Sequence, residues 1–312
     1  MQRIQLGKNR CSVSDNSIIT IGMFDGVHRG HKKILKRVIG IAHKNKVCSV
    51  VITFDPHPRK LLRQKTSPLL LTSLQHKIDI MKSVGIDQCY VLDFDNRIAQ
   101  LDPTRFITQL WELFRFRGIV IGTGFRFGFN ARGESGLLKK IGEKMDFFVK
   151  EVPPLYYKET VVSSTLVRQM INEGNLFRVK QYLGRDFSIL GTVVSGKNIG
   201  KQLGYPTVNI DPHQEILPPA GVYIGSAYIH KTRFFGMINV GFCPTFVSNR
   251  RRLSIEVYFF AFNQSLYDKD IEVYFHKKIR EEKKFDSGDL LVKQIRKDEI
   301  FAKKYIKRYL LK

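Results

Sequence analysis

The chain has 312 residues, 43% of them hydrophobic and 12% aromatic, which excludes a disordered polypeptide and leaves room for two cores at about 150 residues each. No apolar run approaches the ~20 residues that cross a bilayer, and the first ten residues are polar, so neither a membrane span nor an export leader is read and a cytoplasmic protein is expected. Against 28 Asp+Glu stand 52 Lys+Arg, a net charge of +24 that fits anionic substrates and solvated lysine faces, and four scattered cysteines without a C-x-x-C pair exclude a zinc ribbon or a disulfide framework.

Strands and helices alternate up to residue 184. Residues 18–24 and 47–54 are apolar and β-branched, and residues 31–44 between them repeat apolar positions at helical spacing. A helix over 73–84 and a strand over 89–94 follow, then a helix over 103–114, capped by Asp102 and opened by Pro103, and a strand over 118–122. A strand over 147–152 and a helix over 163–173 end the series. Near-continuous apolar strands separated by helices predict a parallel sheet covered on both faces, with ligands beyond the carboxyl ends of its strands. After 184, short strands over 188–194, 221–230, 234–240, 253–262 and 271–275 are separated by Gly-, Pro- and Asn-rich turns, and one long helix over 287–310 follows. Strands without crossover helices predict an antiparallel sheet closed into a small barrel. The expected architecture is a Rossmann-like α/β domain over 1–185, then an antiparallel β-barrel with a C-terminal helix over 186–312.

The stretch Gly22-Met23-Phe24-Asp25-Gly26-Val27-His28-Arg29-Gly30-His31 leaves a strand, turns on glycines and opens a helix. Helix N-termini offer free N–H groups and partial positive charge to phosphate, and His28 and His31 can both point at it. A zinc pair is the competing reading, weakened because no third ligand lies nearby in sequence; satisfied surface histidines are another. Ser164, Thr165 and, one turn on, Arg168 stand at a second predicted helix start, where hydroxyl donors and a guanidinium fork suit polyphosphate. Taken alone, the same residues read as an ordinary capped helix. Gly196-Lys197-Asn198-Ile199-Gly200-Lys201 is one residue short of a P-loop and continues with Gln202, so that reading fails. Thr207 and Asn209, two apart on an extended segment, share one face.

These residues carry a family resemblance. His28-x-Gly30-His31 after the first strand resembles the nucleotidylyltransferase superfamily motif, and the fuller Phe24-Asp25-Gly26-Val27-His28-x-Gly30-His31 resembles bacterial bifunctional riboflavin kinase/FAD synthetases. Further matches follow in the family's order. They are Thr53-Phe54-Asp55-Pro56-His57-Pro58, Leu71-Thr72-Ser73 with Lys77, Phe125-Arg126-Phe127-Gly128 and Ser163-Ser164-Thr165-x-x-Arg168. In the second half come Gly204-Tyr205-Pro206-Thr207-Val208-Asn209, Pro219-Ala220-Gly221-Val222-Tyr223, Asn239-Val240-Gly241 with Pro244-Thr245-Phe246, Ser254-Ile255-Glu256, Leu266-Tyr267, Arg280-x-Glu282-x-Lys284-Phe285 and Gln294-Ile295-x-x-Asp298.

The resemblance implies a nucleotidylyltransferase domain followed by a riboflavin kinase barrel: riboflavin and ATP give FMN in the second, and FMN and a second ATP give FAD and pyrophosphate in the first. It implies Mg²⁺ with ATP, held by Thr207 and Asn209, and neither a membrane nor a dedicated nucleic-acid partner. His28, His31 and Arg168 would act on ATP in adenylyl transfer, and Glu256 would be the general base of the kinase. Phe24, Gly26, Gly30, Phe54, Pro56, His57, Pro58, Phe125, Phe127, Ser163, Ser164 and Thr165 would bind substrates in the first domain. In the second, Gly196, Gly200, Lys201, Gly204, Pro206, Thr207, Asn209, Gly221 and Tyr223 would do so, with Arg280 and Phe285 bordering the flavin. Gly124 stands where the family carries Asp or Asn before its Phe-x-Phe-Gly turn, which keeps open a kinase whose adenylyltransferase half is weakened or lost. The +24 charge keeps open a basic nucleic-acid-binding regulator on the same scaffold.

Overall fold

The computed structural model describes residues 2–4, 6, 16–56, 69–196, 200, 203–243 and 252–311. Contacts divide the chain into two compact units: Met1–Pro68 with Leu74–Ser163, and Leu69–Ser73 with Ser164–Lys312.

In the first unit, β1 (Gln2–Ile4), β2 (Ile18–Ile21), β3 (Ser49–Asp55), β4 (Gln88–Asp93), β5 (Gly118–Gly122) and β6 (Phe148–Val152) form one parallel sheet in the order β1-β4-β3-β2-β5-β6. From β2 the chain winds outward through β3 and β4, then returns to β5 on the other side of β2. The switch point therefore lies between β2 and β5, where ligands of open α/β sheets bind. Helix α1 (Arg29–Lys44) buries Leu35, Val38 and Ala42 on one face and leaves Lys36, Arg37 and Lys44 in solvent. Helices α2 (Leu74–Val84), α3 (Asn96–Ala99), α4 (Pro103–Phe114) and α5 (Ser135–Met145) complete the layers, Asp102 accepting from Thr104 N and Arg105 N to cap α4.

The first strand was expected over 18–24 and ends at Ile21, because Phe24 (φ 49°), Gly26 (φ 80°) and Val27 (φ 37°) turn the chain into α1. Helix α5 was not expected. Its Gly136 and Gly142 dilute the apolar repeat of Leu138 and Ile141. Strand β1 and the short hairpin β7 (Tyr156–Tyr157) and β8 (Thr160–Val161) were also unread, each too short to show alternation.

The second unit opens with α6 (Ser164–Asn172) and α7 (Leu176–Leu183), the latter capped by Asn175 and ended by Gly184 in the left-handed conformation. β9 (Phe187–Val194), β10 (Val208–Asp211), β11 (Gly221–Ile229), β12 (Thr232–Cys243), β13 (Arg252–Phe259) and β14 (Asp270–Arg280) close into a barrel ordered β10-β13-β12-β11-β14-β9, every pairing antiparallel. Ile238, Ile255 and Val257 are buried, while Asn239 and Glu256 between them are half-buried, so the polar residues stand on the outer face of the barrel. The C-terminal helix α8 (Gly288–Tyr309) packs Ala302 and Ile306 against Val222, Ile224 and Met237 of that wall.

Candidate active sites

In the first unit the loop after β2 carries the histidine pair. His28 is the N-cap of α1, its Nδ1 accepting from His31 N at 3.2 Å. The two imidazoles stack with centroids 3.6 Å apart and planes 15° from parallel, and Phe24 meets His31 edge-on at 5.3 Å. A Cβ at position 30 would come within 3.1 Å of the His28 ring, which makes glycine the residue that lets this stack form. Burial, with His28 and Lys77 nearby, holds the His31 imidazole well below its usual range. Lys77, itself buried, donates from Nζ to Met23 O and to Thr53 Oγ1, each at 2.9 Å, and so ties the histidine loop to β3. Burial lowers the Lys77 amine while Asp25 and Asp55 pull it back up.

The flanking strand ends supply the other residues expected here. Phe54 packs edge-on against Phe94 at 5.7 Å, and Pro56 is exposed after a cis Asp55–Pro56 bond. His57 and Pro58 lie outside the described residues. After β5, Phe125 and Phe127 stack at 5.6 Å, with Phe127 and Gly133 exchanging backbone hydrogen bonds. Among the described residues no group of three or more His, Cys, Asp or Glu could hold a metal, so the histidine pair has no third zinc ligand there.

In the second unit Ser164 and Thr165 start α6, and Arg168, one turn along, donates from Nε to Leu69 O at 2.9 Å. Ser163 closes the first unit.

A second constellation lies on the barrel wall. Asn209 of β10, Glu256 of β13 and Asn239 of β12 are successive cross-strand partners, a polar row across three neighbouring strands. They line a cavity of about 300 Å³ together with Gly200, Thr207 and Arg280. Helix α8 and the loop before it contribute Phe285, Leu291, Ile295 and Asp298 to the same cavity, so apolar and polar groups both line it. Gly196 lies where a Cβ would collide with the Asn209 amide, so the glycine makes room for that side chain. Arg280 donates from Nε to the buried Asp298 at 2.8 Å, Gln294 donates to the other Asp298 oxygen at 2.8 Å, and the Arg280 guanidinium lies 5.7 Å from the Phe285 ring centroid. A second cavity of about 330 Å³, lined by Pro206, Phe259, Phe262, Asn263 and Tyr267 among others, shares Thr207 with the first.

The remaining expected residues take supporting positions. Gly204, at φ 79°, shapes the turn between Leu203 and Tyr205, both of which line the first cavity. Gly221, at φ 151°, begins β11 beside Arg280 O. Tyr223 is fully buried, its hydroxyl donating to Pro219 O and its ring edge-on to Phe275, so it is a barrel-core residue and not a cavity wall. Lys201 and Pro244-Thr245-Phe246 lie outside the described residues. Sequence reasoning did not single out Asn239, Lys77 or Asp298 as site residues. All three lie within matched strings, but only register and packing bring them to the site.

Two family models match this chain, one described as FAD synthetase over residues 11–166 and one as riboflavin kinase over residues 183–306. Curated bifunctional riboflavin kinase/FMN adenylyltransferases are similar along almost the whole length. The Buchnera aphidicola (Schizaphis graminum) protein is 39% identical over 95% of this chain and 96% of its own. The Escherichia coli K12 protein is 33% identical over 93% of each. A solved structure described as a macrolide-efflux protein from Streptococcus pneumoniae superposes with a TM-score of 0.84 at 30% identity, covering 97% of this chain and 99% of that one. No helix among the described residues is long and apolar enough to cross a membrane.

Proposed function

The chain belongs to the bifunctional riboflavin kinase/FMN adenylyltransferase family, and we propose from that premise that it phosphorylates riboflavin to FMN and then joins FMN to AMP to give FAD. We assign adenylyl transfer to residues 1–185 and phosphorylation to residues 186–312. The observation that carries the reading is the Asn209–Glu256–Asn239 row, set in a cavity that meets a second one at Thr207.

Phosphoryl transfer needs an acceptor hydroxyl, a base and a phosphate in line. Riboflavin takes the first cavity, its isoalloxazine ring against Phe285, Leu291 and Ile295 and its ribityl chain toward Glu256. The nucleoside of ATP takes the second cavity, so the phosphate chain crosses at Thr207. Glu256 accepts the hydroxyl proton as the oxygen attacks the γ-phosphorus, the new P–O bond replacing the bond to ADP. Thr207 and Asn209 offer a hydroxyl and an amide oxygen, hard oxygen donors of the kind Mg²⁺ prefers, and Gly196 leaves room for the amide. Thr207 and Asn209 would hold that ion, which when bound neutralises charge on the β- and γ-phosphate oxygens.

In adenylyl transfer the FMN phosphate attacks the α-phosphorus of ATP and pyrophosphate leaves, so no protein nucleophile is required. The stacked His28 and His31 at the mouth of α1 stabilise charge building on that phosphate, beside the buried Lys77 ammonium. Ser164, Thr165 and Arg168 bind the phosphates that leave. Incubation with riboflavin, ATP and Mg²⁺ followed by chromatography of the flavins tests the whole reading. FMN and then FAD are expected, and unchanged riboflavin overturns it.

A further inference from the structure

The segment Leu69–Ser73 belongs to the second compact unit although the chain on either side of it belongs to the first. Its attachment is specific. Leu70 forms a parallel bridge with Glu215, and Ile216 N donates to Leu70 O at 2.7 Å. The Glu215 carboxylate, 2% exposed, accepts from Ser73 N at 2.6 Å through one oxygen and from Leu190 N of β9 at 3.2 Å through the other. Arg185, its guanidinium lowered to about 10 by burial, is drawn back up by Glu272 and Glu215, a buried counter-charge for the carboxylate. At the other end of the segment, Leu69 O holds Arg168 Nε. The chain of contacts therefore runs from the barrel strand β9 through Glu215 to the segment, and from the segment to the guanidinium.

We propose that Glu215 is a positioning residue for adenylyl transfer, fixing the Leu69–Ser73 segment so that the Leu69 carbonyl sets the plane of Arg168. The inference rests on the assignment of Arg168 to the leaving phosphates. An arginine fork recognises phosphate through the direction of its N–H groups, so a guanidinium anchored at Nε presents its two Nη groups in a defined plane. A glutamine at position 215 keeps the shape but has a single acceptor oxygen for two backbone N–H groups. One of them then faces an amide NH₂, and the segment loosens at Ser73. The role is invisible in sequence, because Glu215 precedes the apolar Ile216-Leu217 and lies far along the chain from Arg168.

The test is a double-mutant cycle with full-length protein, reading FMN-to-FAD and riboflavin-to-FMN conversion separately. Glu215→Gln is expected to lower kcat/KM for ATP in FAD formation about tenfold, while riboflavin phosphorylation stays within about twofold as the internal control of folding. In an Arg168→Ala background, Glu215→Gln is expected to add nothing, since both changes remove one function. Full adenylylation by Glu215→Gln beside a damaged Arg168→Ala overturns this inference alone, as do effects that multiply in the double variant or an equal loss of both activities. An Arg168→Ala protein with intact adenylylation overturns the underlying assignment as well.

Discussion

Asn209 and Glu256 are direct cross-strand partners, β10 against β13, and both line the cavity that Thr207 joins to a second one. A carboxylate so placed is flanked by amides on both neighbouring strands, Asn209 on one side and Asn239 on the other. If Glu256 is the base, Glu256→Gln lowers kcat for FMN formation about 10³-fold and leaves FMN-to-FAD conversion unchanged. His28→Ala does the reverse. Assaying the two steps with separate substrates checks this, and equal loss of both in either variant would contradict separate sites.

Gly124 has φ 81°, and a Cβ there would meet nothing within 4 Å. Asn and Asp tolerate the left-handed region better than other side chains. Gly124→Asn is therefore expected to fold, at a cost of about 1 kcal/mol, and to raise kcat/KM for FAD formation about fivefold through one added hydrogen bond to substrate. Thermal denaturation and steady-state kinetics check the two halves of this expectation. A variant slower than the parent would show that the glycine suits this loop.

Arg280 and Asp298 form a largely buried pair, with side-chain exposures of 15% and 4%. Asp298→Asn leaves the Arg280 charge without its counter-ion and is expected to cost about 3 kcal/mol of stability. Arg280 lines the cavity assigned to riboflavin, so KM for riboflavin should rise about tenfold while kcat changes little. A fall in kcat with KM unchanged would instead put Arg280 at the phosphate.

The His276 side chain is only 2% exposed, its Nε2 2.9 Å from Ser226 Oγ and its Nδ1 3.7 Å from Asp186. Burial lowers its imidazole to about 4, against the pull of Asp186. Because the folded value lies below the unfolded one of about 6.5, the unfolded chain binds more protons between them and stability falls as pH drops through that window. Burial of His31 acts with the same sign. Replacing His276 by Gln is expected to remove on the order of 3 kcal/mol from the loss of stability between pH 7 and pH 4, measured by urea unfolding. An unchanged slope would mean that His276 is protonated in the folded protein.

The alternation of apolar strands and helical repeats up to residue 184, and of strands and turns after it, was enough to read a parallel sheet followed by a barrel. Those patterns are local, set by the side-chain periods of helix and strand. The histidine pair was legible for the same reason: three residues across one helix start fix the relation of His28 to His31. Helix α5 escaped because its glycines interrupt the apolar repeat, and β10 because four residues show too little alternation. The row Asn209–Glu256–Asn239 depends on the register of three strands. The grip of Glu215 on Ser73 joins chain segments whose spacing carries no signal. Register and buried bridging bonds arise from pairings between distant residues, so the one-dimensional pattern supplied the parts of each site and the tertiary structure alone decided which of them meet.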